Sequence, residues 1–345
     1  MIENDPRSDA AGPASPGSWS PVRGPRMALL TLLAGCGGGA PEAPPPPAPA
    51  ETRDTSRAVQ TEMRNVDFGV DSGIVLEISR LRGSLVPSSD TAPPAFDDPR
   101  SFGITIGSAA IAIDTASLSR LLTRHVFAYR GSPLGALRIS TDGNRIVQKG
   151  VLKRGVHLPF TIEADASLTA DGLIRLHPTS IRVLGIGARG LMRFFGLSLE
   201  GLAKIAPGRG VRIDGDDLLL DPAAVLPPPR ARGKVTALSV RNGRMYLVFG
   251  SEAGADSARL KQPDAGVTNY MYFRGGTLRF GKLTMTDADL LIADDDPTDR
   301  FDFDLPHYFE QLVAGTHRTT PSDGLIVHMP DRNDLSRRAA VPRRP

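Results

Sequence analysis

Asp-Gly and Asn-Gly dipeptides recur between alternating apolar and polar runs, and they constrain this chain's fold more than any other feature. Asp142-Gly143 separates residues 137–140 from 145–148, and Asp171-Gly172 separates 160–168 from 173–176. Asn242-Gly243 separates 235–240 from 244–249. A type I′ turn needs positive φ at both central residues, which Gly and Asn tolerate best, so each dipeptide predicts a β-hairpin. Within the runs, as in Phe160-Thr161-Ile162-Glu163-Ala164, apolar residues alternate with polar ones. That period of two predicts strands with one face buried and the other wet.

Three helical stretches interrupt the strands. Asp114 or Thr115 caps the first, in which Leu118, Leu121, Leu122 and Val126 share a face. The second is expected over 188–206, where Leu191, Phe194, Phe195, Leu199, Leu202 and Ile205 form a stripe ended by Pro207 and Gly208. A short third helix starts at Pro306 and carries Tyr308, Phe309, Leu312 and Val313. The expected class is therefore α+β: a long curled antiparallel sheet packed around one long and one or two shorter helices.

Composition narrows the function. Hydrophobic residues make up 40% of the 345, enough for a core but far from a polytopic membrane protein. The 41 Lys and Arg against 38 Asp and Glu leave a net charge of only +3, and aromatics are 6%. Neither a basic surface nor a base-stacking platform follows, so no nucleic-acid partner is expected.

The single cysteine sits in a telling place. Arg23 and Arg26 precede a short apolar run that ends Leu33-Ala34-Gly35-Cys36. A positive flank, a run too short to span a bilayer, and small residues at the end describe a secretory leader. The final four residues resemble the lipobox of bacterial lipoproteins. That resemblance implies acylation of Cys36, removal of the leader 1–35, and an anchor facing the periplasm from the outer membrane. Residues 36–65 are rich in Pro, including Pro44 to Pro47, and read as an extended linker. A main domain is expected over 66–250, a β-rich C-terminal module completing the sheet over 267–330, and a basic tail over 331–345.

From about 102 to 249 the chain resembles the LmeA-type phospholipid-binding proteins of the tubular lipid-binding superfamily. The resemblance rests on Ala110-Ile111-Ala112-Ile113-Asp114 running into the first helix, the hairpins at Asp142-Gly143 and Asp171-Gly172, and the 191–205 stripe before Val211-Arg212-Ile213. It implies an apolar groove for acyl chains, lined by Leu118, Leu121, Leu122, Val126, Leu191, Phe194, Phe195, Leu199, Leu202 and Ile205. Basic residues on the first helix and beyond it, Arg120, Arg124 and Arg130, would then face anionic headgroups.

Signals for catalysis are weak beside these. Gly185-Ile186-Gly187-Ala188-Arg189-Gly190 spells a dinucleotide fingerprint, but its neighbours are hairpins rather than parallel crossovers. We read the glycines as a place where a helix leaves the sheet, and expect no cofactor. The six histidines lack metal-binding spacing and no nucleophile-elbow motif occurs, so no catalytic residues are assigned. Eight aspartates crowd residues 287–304. Asp294, Asp296 and Asp299 are the Ca²⁺ candidates there, but the EF-hand glycine and terminal Glu are missing, and the run reads first as a solvated hairpin tip with no metal expected. The expected protein is a lipoprotein that shields phospholipid or another acyl lipid. The alternative is a non-catalytic scaffold lipoprotein that binds an envelope protein through a sheet edge or the acidic module. If Cys36 carries the anchor, Cys36→Ser should move the protein from the membrane pellet to the soluble fraction. Continued sedimentation at low and high salt would refute the anchor.

Overall fold

The structure, a computed structural model, describes residues 57–132, 134–154, 156–184, 209–250, 260 and 267–335. These belong to one compact unit, Thr52–Pro345. The first strands are long: β1 Val59–Asp71, β2 Ile74–Pro87 and β3 Phe102–Asp114. Helix α1, Thr115–Leu121, follows β3 and runs into a π-helical turn, Leu122–Val126. Next come β4 Leu134–Asp142, β5 Arg145–Arg154, β6 Val156–Leu168, β7 Ile174–Val183, β8 Val211–Asp214 and β9 Asp217–Leu220. A single turn, α2 Pro222–Val225, leads to β10 Arg230–Arg232, β11 Val235–Arg241 and β12 Arg244–Phe249. The rest is β13 Tyr270–Arg274, β14 Thr277–Phe280, β15 Leu283–Thr286, β16 Asp289–Asp294 and β17 Phe301–Asp304, then α3 Tyr308–Ala314, β18 Thr316–Thr319 and β19 Leu325–Met329.

The expected α+β class is wrong. Strands dominate, and every helix among the described residues is short. Two large sheets face each other across a shared core, with a two-stranded hairpin, β14–β15, beside them. One sheet runs β11-β12-β3-β2-β1-β13-β16-β19-β18, with β10 added to β3 and β17 to β1. The other runs β4-β5-β6-β7-β9-β8. The long helix expected over 188–206 lies outside the described residues. The sheet is also mixed rather than purely antiparallel, because β17 pairs with β1, β10 with β3 and β19 with β16 in parallel. Among the described residues no helix is long and apolar enough to cross a membrane.

The turn dipeptides do mark hairpins, but with different geometry at each. Only Asn242 and Gly243 both take positive φ, 50° and 71°, between the paired Arg241 and Arg244. At β4–β5 the two-residue loop is Gly143-Asn144, with positive φ only at Gly143, and Asp142 is already a paired strand residue. Asp171-Gly172 lies in a longer loop closed by hydrogen bonds between Thr169 and Leu173. Asp114 caps α1 by accepting the Ser117 N–H at 2.6 Å.

Two boundaries move. The linker was expected to reach residue 65, yet Val59, Met63 and other β1 residues are core. The tail was expected from 331, yet the Asp331 side chain is buried and accepts the Asp302 N–H at 2.7 Å. Both segments are polar enough in sequence to pass for loops; pairing with distant strands orders them.

The half of the core under β13, β17 and α3 is aromatic. Phe96, on the loop after β2, lies 5.4 Å from Phe273, 5.3 Å from Phe280 and 5.7 Å from Tyr308 between ring centroids, edge to face in each case. Phe68 stacks on Phe303 at 5.6 Å. Such pairs add to plain burial. Phe96→Ala should therefore destabilise the fold by about 3–5 kcal/mol in denaturant unfolding. A cost under about 1 kcal/mol would show that the loop, not the ring cluster, holds this half together.

Candidate functional site: an apolar cavity beneath helix α1

The other half of the core is aliphatic, and it is not filled. Between the sheets lies a partly open cavity of about 90 Å³. That room suits a slender hydrocarbon group rather than a drug-sized molecule, whose sites enclose roughly 300–1,000 Å³. Strand β1 contributes Met63, Phe68 and Val70 to its wall, and β3 contributes Ile104, Ile106, Ile111 and Ile113. Leu118, Leu121 and Leu122 form its helical side. The segment from Leu220 through α2 to Ala231 closes it with Leu220, Pro222, Val225, Leu226 and Pro229. Every described residue of the wall is apolar.

Local structure explains why these side chains converge. Alternation along β3 turns Ile104, Ile106, Ile111 and Ile113 to one face; the parity shift between Ile106 and Ile111 falls where the β2–β3 register slips, between Arg82 and Gly83 and again between Ile78 and Arg80. Helix α1 is clamped above them from its polar side. Ser119 accepts the Ile139 N–H at 2.7 Å, tying α1 to β4, and Ser117 accepts the Val75 N–H at 3.2 Å, tying it to β2. The leucines are thereby held pointing down between the sheets.

The expected groove residues divide. Leu118, Leu121 and Leu122 line the cavity, while Val126 is fully buried in the neighbouring core and is not part of the wall. Leu191, Phe194, Phe195, Leu199, Leu202 and Ile205 lie outside the described residues, as do Gly185 to Gly190 and Cys36. Most of the wall went unrecognised in the sequence. Alternation marks a buried face but does not say whether the space beneath it is filled, and the 220–231 segment has no periodicity at all.

The basic residues expected at headgroups are partly occupied. Arg120 donates to the Gly73 carbonyl at 2.9 Å and Arg124 to the Ser72 carbonyl at 2.7 Å, so both staple α1 and its π-turn to the β1–β2 turn. Arg130 is exposed in the following loop. Beside them His125 meets Asp71 at 2.7 Å. Burial pushes the Asp71 carboxyl up, but hydrogen bonds from Ser72 and His125 and the charges of His125 and Arg124 outweigh it and hold it low.

The acidic run folds into something else. Asp294, Asp299 and Asp331 bring carboxylate oxygens within 4.8 Å of one another, the one such group among the described residues. Asp296, the third member of the expected Ca²⁺ set, instead closes its own turn by accepting the Thr298 N–H at 3.0 Å and the Thr298 hydroxyl at 2.7 Å. Three carboxylates reach the lower end of the six to eight oxygens Ca²⁺ takes only if all three are bidentate, and Asp294 and Asp331 already accept N–H groups of Asn269, Asp296 and Asp302. Nor is this a solvated tip, since Asp294 and Asp331 are both buried. Burial, reinforced by the charges of Asp294, Asp299 and Asp302, pushes Asp331 up to about 7. Asp302 rises to about 6, chiefly by burial, and Asp294 is also raised for that reason.

No protein-family model, curated protein or solved structure matches the chain.

A carboxyl whose folded pKa exceeds its usual 3.8 is stabilising in its protonated form. Its contribution is complete below about pH 4 and is lost as pH rises through about 7. Asp331→Asn keeps an acceptor for the Asp302 N–H and removes the charge. Its melting temperature should exceed that of the unsubstituted protein at pH 8, with the gap closing by pH 4. A gap that does not change with pH would remove the buried-charge argument.

Proposed function

We propose that this protein is an envelope lipoprotein that shelters the hydrocarbon part of an acyl lipid in the cavity beneath α1, for transfer or sensing. The observation that carries the reading is the wall itself: it borders a partly open space, and none of its described residues has a polar side chain. An ordinary core would close such a space, because unfilled volume forfeits dispersion contacts and costs stability. A hydrocarbon chain can fill it at little cost, since leaving a bilayer for an apolar wall exchanges one apolar surrounding for another. The head of such a ligand would stay at the mouth, because none of the described wall side chains could hydrogen-bond it. The secretory leader and Cys36 support a place at a membrane, where acyl lipids are supplied. Among the described residues no nucleophile or general base lines the cavity, and the reading needs no reaction.

The scaffold alternative has one observation on its side: β18 is an edge strand with all four residues exposed. Short edge strands bearing charged side chains are, however, how sheets avoid added strands, and β18 carries Arg318. We therefore prefer the lipid reading.

The test uses the full chain carrying Cys36→Ser, so that no anchor contributes. Binding of a fluorescent polyene fatty acid should saturate. Ala231→Phe or Val225→Trp, each aimed into the cavity, should weaken binding at least tenfold, about 1.4 kcal/mol, while circular dichroism stays unchanged. If the unfilled protein binds no fatty acid, or if both filled variants bind it equally well, the function is not lipid shelter.

A further inference from the structure

Four large hydrophobic side chains are exposed among the described residues, and three of them gather in one place. Phe309 (47% exposed) and Val313 (70%) stand one turn apart on the outer face of α3. Leu283 (47%) begins β15, two residues past Gly281 in the tip of the β14–β15 hairpin. The hairpin and the helix touch: a Cβ placed on Gly281 would lie 3.1 Å from Leu312 and 3.9 Å from Phe309. Tyr308 locks the two together from beneath, its hydroxyl accepting the Gly281 N–H at 3.1 Å and donating to Asp97. The patch is thus built on a rigid base, with its apolar side chains turned outward.

We propose that this patch, Leu283, Phe309 and Val313 with Lys282 at the hairpin tip, is where the folded unit rests on a lipid bilayer. Three side chains cover too little for a second copy of the chain, because a stable dimer buries about 800 Å² on each partner. A bilayer asks for less, since apolar side chains need only enter the zone between headgroups and acyl chains. The charges agree with an anionic surface. Lys282 is exposed with no ion pair among the described residues, and the one acid of α3, Glu310, is held by Arg332. Gly276, at the base of the same hairpin, packs against Arg57 and Ala58, the first described residues and the side on which Cys36 lies in sequence. The weight of that position rests on the lipoprotein reading; the patch and its charges do not.

Cys36 is the only cysteine, so the full chain with Cys36→Ser has neither acyl anchor nor thiol. In that background Val313→Cys carries an environment-sensitive nitrobenzoxadiazole label, and Ser140→Cys, exposed on β4 of the other sheet, serves as the reference position. On adding vesicles of phosphatidylethanolamine with phosphatidylglycerol, emission at 313 should rise severalfold and shift to the blue while the label at 140 stays unchanged. In unlabelled protein, Leu283→Asp or Val313→Asp should reduce co-sedimentation with the same vesicles at least tenfold; both sites are exposed enough to keep the fold. Fatty-acid binding by these variants should match that of the Cys36→Ser protein. That separates the two readings, since the cavity can fail to bind while the patch still inserts. No change at 313, an equal change at both positions, or a change that appears on concentrating the protein without vesicles would overturn the proposal, the last by pointing to self-association.

Discussion

The whole architecture depends on β1 being paired on both sides along its length. Strand β2 lies along one edge throughout. The other edge is shared: β13 takes Gln60–Arg64 antiparallel, and β17 takes Val66–Gly69 parallel. Asn65 is the joint between them. Its φ of 50° marks a residue out of strand geometry, and its side-chain amide donates to the Thr268 carbonyl and to Asn269, just ahead of β13. Asn is among the few residues that enter the left-handed region at modest cost. One strand near the start of the fold is thereby joined to two near its end. The C-terminal third completes the principal sheet and cannot be lifted away as a separate module without exposing the β1 edge.

This pairing divides the core into two halves with different character. Where β13 and β17 meet β1, rings from Phe96, Phe273, Phe280, Phe303 and Tyr308 close the interior. Where β3 and α1 face the second sheet, the side chains are mainly Ile, Leu, Val and Met, and space remains between them. The filled half supplies rigidity. The open half is where a ligand would go, and the outward patch on α3 is built on the back of the filled half. Charge is handled differently at the two buried acidic sites: Glu62 is held by Arg64, Arg82 and Tyr270, whereas among the described residues Asp294 and Asp331 have no such cation partner and burial raises both.

What the sequence by itself determined is local. Alternation and the three turn dipeptides marked where hairpins lie, because both are properties of a few consecutive residues, although only Asn242-Gly243 took the expected turn geometry. The Asp114 cap and the apolar face of Leu118, Leu121 and Leu122 were readable for the same reason. What only the tertiary structure decided is everything that joins distant segments. The parallel pairing of β17 with β1, the burial of Asp331 in a run that reads as a tail, and the replacement of Asp296 by Asp331 in the carboxylate trio leave no local trace. The cavity belongs to this second kind. An alternating strand states which face is buried, but whether the opposing side chains meet across the gap depends on how two sheets and one clamped helix are spaced, which is set by contacts far apart in the chain.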